Sequence, residues 1–274
     1  MKKILIIVSL FLAFAAGTAK GQVRLGADTL ECHVVSFSFG TLFPGTGSNS
    51  EGLKGGNMRD LYKGPYLDFG LEWEYKGASN WMATFDADMW FGYNSDNLQN
   101  RAERMGNVFD ASGYAMSWGG YDGVVTAYNR GLSLKQGGAY IIRVLPKNPN
   151  SGILVGLKYG WFMQKTVFTQ DFDRSPVPQL TGDYAKLYDQ LRNGVMLTES
   201  LGFIYMSNYK TYINLKVTFE LSQCWSWSSR GYQIDNVMGL NDKDGGRYFD
   251  LLYGLRLTWM FPFTGKPTYD YYYY

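Results

Sequence analysis

Histidine, cysteine and long apolar runs are scarce in this chain, and each scarcity excludes a class of protein. The 274 residues include one histidine, His33, and two cysteines, so no group of residues has the spacing of a metal site. Beyond Gly21, no apolar run approaches the ~20 residues of a membrane-spanning helix. The formal net charge of +2 gives no reason to expect a nucleic-acid partner. We therefore expect no metal, no cofactor and no nucleic acid.

The first residues have the pattern of a secretory signal. Lys2 and Lys3 precede an apolar stretch, residues 4–16, and Ala19-Lys20-Gly21 forms a small-x-small cleavage site. No cysteine lies near this site, which argues against a lipoprotein anchor. We therefore expect residues 1–21 to be a signal peptide.

Aromatic residues are abundant, and they alternate with polar ones. They make up 17% of the chain, whereas charged residues make up 18% and the mean hydropathy is only −0.22. Residues 66–75 show the pattern best, with apolar side chains on one face and polar ones on the other. Strands with one lipid-facing and one polar face are typical of outer-membrane β-barrels. The expected fold is all-β, a closed antiparallel up-and-down transmembrane barrel in the outer membrane. We expect the barrel over residues 22–263, followed by a tyrosine-rich periplasmic tail over 264–274.

Eight strands and their connections can be placed from this alternation. The expected strands are 33–42, 64–75, 81–92, 131–145, 152–170, 195–206, 211–227 and 248–261, with Pro262 ending the last. Short periplasmic turns then alternate with long extracellular loops, and both termini lie on the periplasmic side. An extra hairpin around 114–128 would raise the number of strands to ten. A soluble β-sandwich is the competing architecture, but it explains neither such long strands nor such unequal loops.

The polar face of the strands carries charges of both signs. Eleven residues are expected to face the lumen: Asp68, Glu72, Glu74, Asp86, Asp88, Lys135, Arg143, Lys158, Lys216, Glu220 and Arg256. An eight-stranded barrel is only wide enough for side chains to fill, so these charges are expected to pair as a plug. A narrow, porin-like channel for small solutes is the alternative. Glu199 falls on the apolar face of its strand, where a bulge, a rim position or a protein contact would each explain it.

Evidence for an enzyme is weak. A Ser-His-acid site would require His33, which lies at a strand start on the inner side of the membrane, and this leaves a lipid-modifying enzyme only as a further alternative. Asp86 and Asp88 share a face, but lumen salt bridges are the simpler explanation for them. Cys32 and Cys224 are expected near opposite ends of the barrel, beyond the ~7 Å Cα limit for a disulfide, and hence as free thiols.

The third long loop and the C-terminal tail are the candidate partner surfaces. Apolar residues at helical spacing from Asp183, with Arg192 in the last turn and Gly194 as C-cap, predict a short amphipathic helix. Its apolar stripe would either pack on the barrel mouth or dock a partner. The tail suits either the headgroup zone or a protein partner. The candidate partner residues are Asp183, Tyr184, Leu187, Tyr188, Leu191, Tyr271, Tyr272, Tyr273 and Tyr274.

Four stretches from the fourth strand onward are distinctive: Pro149-Asn150-Ser151-Gly152; the run from Pro178 through Asp183-Tyr184 and Tyr188-Asp189 to Gly194; Phe249 to Gly254 with Arg256, Trp259 and Pro262; and the tyrosine-rich tail. In these stretches the chain resembles a family of Bacteroidetes-type outer-membrane β-barrel proteins. The resemblance implies an outer-membrane location but no defined activity. Some small barrels of this lineage are subunits of larger outer-membrane machines for protein assembly or secretion. We therefore expect a non-enzymatic structural or interaction platform, surrounded by outer-membrane lipid and in contact with protein partners.

Overall fold

The structure is a computed structural model, which describes residues 31–49, 65–92, 108, 115–116, 122–123, 125–170, 177–207, 214–230 and 247–263. The expected signal peptide, residues 1–21, and the expected tail, residues 264–274, lie outside the described residues. So do the candidate partner residues Tyr271, Tyr272, Tyr273 and Tyr274.

Eight antiparallel strands close into a barrel, which confirms the predicted fold. The barrel strands are β1 (Cys32–Asn49), β2 (Tyr66–Lys76), β3 (Trp81–Gly92), β6 (Val125–Arg143), β7 (Gly152–Gln170), β8 (Arg192–Met206), β9 (Asn214–Ser228) and β10 (Arg247–Phe263). Their order around the ring is β1-β10-β9-β8-β7-β6-β3-β2, and β1 pairs with both β10 and β2. Closure leaves no unpaired strand edge, which a membrane would not tolerate.

The alternative with ten barrel strands is wrong. A hairpin does occur in the expected region, formed by β4 (Ala115–Met116) and β5 (Asp122–Gly123). It is a separate two-stranded sheet, however, and neither strand joins the barrel. Two residues per strand are too few to cross the membrane, which takes about 9–11.

Several strand ends differ from the prediction. β1 continues beyond Leu42 to Asn49 across a register shift, and β6 begins at Val125 rather than at residue 131. Pro262 does not end the last strand, because β10 runs to Phe263. Pro262 still pairs with Val34 of β1, but pairing with β9 has already stopped at Trp259, so this end of β10 has one neighbour, as at the edge positions where proline is tolerated.

Short connections lie at one end of the barrel, which we call the short-turn end, and the longer ones lie at the opposite, long-loop end. The β2–β3 turn is closed by Asn80, whose φ of 65° is in the left-handed region that asparagine tolerates. Its side-chain amide donates to the carbonyl of Pro149 in the β6–β7 turn, at 3.2 Å. In that second turn, the Asn148 amide donates to the carbonyl of Met206 at 2.6 Å. The turns therefore support one another.

The barrel exterior is predominantly apolar. Along β2 and β3, outward positions that are exposed or half-buried alternate with inward positions that are nearly all buried, and the outward residues are all aromatic or aliphatic. Trp81, for example, is 61% exposed. A soluble monomer rarely exposes an apolar patch larger than a few hundred Å². A membrane barrel has an apolar outer band because that surface contacts the lipid chains. The exterior is therefore that of a membrane-embedded barrel. Among the described residues, no helix is long and apolar enough to span a membrane.

Candidate functional site

The lumen is filled in three layers. An apolar layer closes the short-turn end and consists of Cys32, Val34, Met82, Ala139, Ile141, Leu154, Ile204, Met206 and Met260. A second apolar layer lies toward the long-loop end and consists of Leu42, Tyr66, Trp90, Phe162, Met196, Cys224 and Leu252. The charged side chains lie between them. Any solute crossing the barrel would have to pass two packed apolar layers.

Arg256, on β10, is the centre of the charged layer. Its guanidinium donates to Asp68 of β2 at 2.6 Å and to Asp88 of β3 at 2.9 Å. It also reaches Glu72 at 3.3 Å and Glu220 at 3.4 Å. Arginine suits this position because its five N–H donors form a rigid planar fork.

Three lysines complete the network from the other strands. Lys135 binds Asp88 at 2.8 Å, and Lys158 binds Asp86 at 2.5 Å. Lys216 bridges two carboxylates on β2, Glu72 at 2.5 Å and Glu74 at 2.7 Å. Altogether these ion pairs join six carboxylates to four cations, and every one of the ten side chains is buried.

Ten of the eleven residues expected in the lumen thus lie together, and Arg143 does not. It ends β6 at the short-turn end and its side chain is exposed. Arg143 does lie on the inward-facing side of β6, as predicted. It lies beyond the apolar layer of the short-turn end, however, where the inward side of the strand is open to solvent. Asp86 and Asp88 form lumen salt bridges, as the simpler explanation had it.

Three further buried charges on the barrel strands are not among the predicted lumen residues. Lys76 and Asp250 are fully or almost fully buried, and Arg192 is 3% exposed with its guanidinium 3.6 Å from the centre of the Tyr248 ring. Lys76 lies one residue beyond the strand end expected at residue 75, although it is the last residue of β2 and continues the inward parity of Glu72 and Glu74. Arg192 had been assigned to a helix.

A second candidate site projects from the long-loop end. β6 and β7 pair as far as Val125 and Gln170, whereas β3 stops pairing with β6 at Arg130, and β8 stops pairing with β7 at Gln164. Residues 125–129 and 166–170 therefore pair only with each other. Together with the described part of the third long loop, residues 177–191, they form what we call the outer arm.

The third loop folds as two short 3-10 helices, not as one amphipathic helix. They span Pro178–Leu180 and Tyr184–Leu187. Gly194, expected as a C-cap, lies within β8 instead. The apolar residues of the loop fold back on one another: Val177, Leu180 and Tyr188 form a buried cluster with Val108, and Leu187, Val125 and Phe168 pack against it.

This packing divides the expected partner residues into two groups. Tyr188 is only 5% exposed and Leu187 packs against its cluster, so both belong to the interior of the arm, whereas Leu191 is half-buried beside β8. Tyr184 is 68% exposed and Asp183 is exposed beside it. A hydrogen bond from Lys186, 2.6 Å long, lowers the pKa of the Asp183 carboxyl below its ordinary value. The solvent-exposed surface of the arm thus includes the Tyr184 ring and the ion pair of Asp183 with Lys186.

Hydrogen bonds hold the third loop to the strands of the arm, and others hold the arm to the end of β9. The Asp189 carbonyl accepts the Thr166 N–H of β7 at 2.7 Å, and its carboxylate accepts two hydrogen bonds from Arg230, just beyond β9. This hydrogen bonding raises the pKa of the Arg230 guanidinium. Gln170 adds a further link, because its side-chain oxygen accepts the Val177 N–H at 2.7 Å. The arm is therefore held as a fixed projection.

The described ring contacts of His33 are all aromatic, and both cysteines are buried. The imidazole lies outward in an aromatic group at the short-turn end, 5.7 Å from Trp73, 5.1 Å from Tyr75 and 6.0 Å from Phe263, between ring centres. Cys32 and Cys224 are free thiols in opposite apolar layers, which confirms the prediction. No three His, Cys, Asp or Glu side chains of the described strands and loops form a metal-binding group.

Comparisons with known proteins return similarity of fold only. No family model and no curated protein matches the chain. Among solved structures, the outer membrane protein OprG of Pseudomonas aeruginosa has a TM-score of 0.38 at 13% identity, covering 86% of this chain and 98% of its own. Ail, the attachment invasion locus protein of Yersinia pestis, was solved with the heparin analogue sucrose octasulfate and has a TM-score of 0.35 at 10% identity, covering 84% and 97%. Neisserial surface protein A has a TM-score of 0.32 at 12% identity, covering 82% and 95%. Values this low carry no argument about function.

Proposed function

We propose that the protein is a non-enzymatic outer-membrane barrel that serves as a structural and interaction platform. Its apolar exterior and expected signal peptide over 1–21 support the location. The resemblance to Bacteroidetes-type barrels suggests a subunit of a larger outer-membrane assembly or secretion complex. Within this proposal the plugged barrel anchors two contact surfaces, the outer arm outside and the tyrosine-rich tail, residues 264–274, in the periplasm.

The fastened outer arm is the observation that carries this proposal. Ordering a loop on binding costs conformational entropy, and a loop already fixed avoids that cost. The Asp189–Arg230 ion pair and the Gln170 hydrogen bonds hold the arm before any partner arrives. Tyr184 is thereby presented as an exposed aromatic side chain, of the type that dominates the energetics of protein interfaces.

The filled lumen argues against the channel alternative. A pore needs a continuous polar path, and here two apolar layers enclose a paired charge network. The lipid-modifying alternative has no support at His33, whose ring neighbours are aromatic. In planar-bilayer recordings of the purified full chain, we expect no discrete conductance steps.

Affinity purification tests the platform directly. The full chain, extracted from its native membrane in mild detergent, should retain a reproducible set of envelope proteins by quantitative mass spectrometry. Tyr184→Ala should deplete the partners of the outer arm, and deletion of 264–274 should deplete those of the tail. Trp81→Phe, at the opposite end of the barrel, is the matched control. Recovery of this chain alone would overturn the proposal.

A further inference from the structure

Glu199 is a carboxylate that faces the membrane. Among the outward-facing positions of the eight barrel strands as described, it is the only acid. Its strand keeps an unbroken register with both β7 and β9, which excludes a bulge. Three outward-facing residues of β8 lie on each side of it, residues 193, 195 and 197 toward the long-loop end and 201, 203 and 205 toward the short-turn end, which excludes a rim position. A protein contact is the explanation that remains.

The lipid-facing carboxylate of Glu199 costs free energy in a barrel that has no partner. An ionisable side chain facing lipid costs free energy near the middle of the membrane and is rarely present without a role. Its described hydrogen bond comes from the Gln223 amide of β9 and is long, at 3.4 Å. The carboxylate therefore has unused acceptor capacity, directed toward the surroundings of the barrel.

A matching donor lies one strand away. Tyr159 of β7 is 59% exposed on the same outer face, and its hydroxyl oxygen accepts a 2.7 Å hydrogen bond from the Gln136 amide of β6. This bond uses the oxygen and leaves the hydroxyl hydrogen to donate. No described residue accepts that hydrogen. We call these four side chains, Gln136, Tyr159, Glu199 and Gln223, the lateral patch.

We propose that the lateral patch is the contact surface between two copies of this chain in the plane of the membrane. A two-fold axis along the membrane normal, passing between β7 and β8, brings β7 of one copy against β8 of the other. Tyr159 of each copy then donates to Glu199 of its counterpart, twice by symmetry. Leu157, which is 52% exposed and pairs with Glu199 in the sheet, lies at the same seam.

Hydrogen-bond complementarity identifies the occupant as a second copy. The patch holds one acceptor-rich carboxylate and a hydroxyl donor side by side, so it is complementary to itself. The contact requires no positively charged residue from another protein, so no cation has to be transferred into lipid. In a membrane, apolar contact alone contributes little free energy to the association of two proteins. Hydrogen bonds between polar side chains stabilise such contacts. The inference needs only the membrane-embedded barrel and is independent of the outer arm.

Energy transfer between labelled copies tests the contact. The full chain is reconstituted in phospholipid vesicles over a range of protein-to-lipid ratios, and the self-association constant is measured. Tyr159→Phe, which removes one hydroxyl, and Glu199→Leu should each weaken self-association about tenfold or more. Tyr75→Phe on β2, on the opposite side of the ring, is the matched control and should change nothing. Glu199→Leu should also make the monomeric barrel harder to unfold.

Thiol cross-linking in native membranes locates the seam. Leu157→Cys on β7 should cross-link two copies, whereas Leu71→Cys on β2 should not, and the native cysteines are buried from the reagent. A wild-type chain that stays monomeric at every ratio, or equal cross-linking at both positions, would overturn the proposal. So would a Glu199 contact found only with a different, cationic protein. Tyr184→Ala should leave self-association unchanged. The proposal of a lateral contact and the proposal of an outer-arm partner can therefore be refuted independently.

Discussion

Replacing Arg256 by methionine should destabilise the barrel more than any other single change in the lumen. The substitution removes contacts of 2.6 Å and 2.9 Å to Asp68 and Asp88 and the longer ones to Glu72 and Glu220. Removing one partner of a buried ion pair costs about 3–5 kcal/mol, because the other charge stays buried without compensation. Four carboxylates lose a partner here. We expect a loss at the upper end of that range, against a typical total stability of about 5–15 kcal/mol.

Equilibrium unfolding of the purified barrel in detergent micelles, followed by tryptophan fluorescence, measures this loss. Arg256→Lys keeps the charge but not the planar fork and should cost roughly half as much. Lys165→Met is the matched control, since Lys165 is an exposed cation on the outer face of β7, and it should change stability by less than about 0.5 kcal/mol. A loss below about 1 kcal/mol for Arg256→Met, or one equal to the control, would refute the role assigned to the network.

Three smaller perturbations follow from the same packing. Asn80→Ala should cost about 1–2 kcal/mol in the same unfolding assay, because alanine tolerates the left-handed turn poorly and loses a hydrogen bond, while Asn80→Gly should cost less. Gly131→Ala should cost about 1–3 kcal/mol, since a Cβ there would overlap the Trp90 indole, and the tryptophan fluorescence should shift. Asp189→Ala should release Arg230 and accelerate proteolysis of the third loop in folded protein, with cleavage sites read by mass spectrometry; unchanged proteolysis would contradict the fastening.

Whether a side chain faces the lumen or the lipid was predictable, because successive residues of a strand point to opposite faces. In a strand of period two, knowing one lipid-facing residue fixes the face of every other, until a bulge intervenes. Glu72, Asp86 and Lys158 were placed in the lumen on this basis. Which carboxylate pairs with which cation was not predictable, because pairing depends on how strands from distant parts of the chain meet across the lumen.

The outer arm escaped prediction for a physical reason. Residues 125–129 and 166–170 pair only with each other, beyond the ring, so their two faces no longer meet lipid and lumen. Alternation weakens there, and the start of β6 was placed too late. In the third loop, the spacing of Tyr184 and Tyr188 suited a helix, but the loop reverses so that Tyr188 packs on Val177 and Leu180. A periodic pattern does not distinguish a helical stripe from a compact turn with one buried side.

The lumen network also governs the order in which this barrel can be completed. Arg256 lies on the last strand, and Asp68 and Asp88 lie on two of the first three, 188 and 168 residues away along the chain. Until β10 arrives beside β1, the carboxylates of β2 and β3 lack their central cation. A half-built sheet would carry unneutralised charge on the face that must leave water, so partial insertion is penalised and the final strand supplies the missing compensation. The last strand therefore supplies the cation that joins four of the lumen carboxylates, and we expect its closure against β1 to complete charge compensation in the lumen.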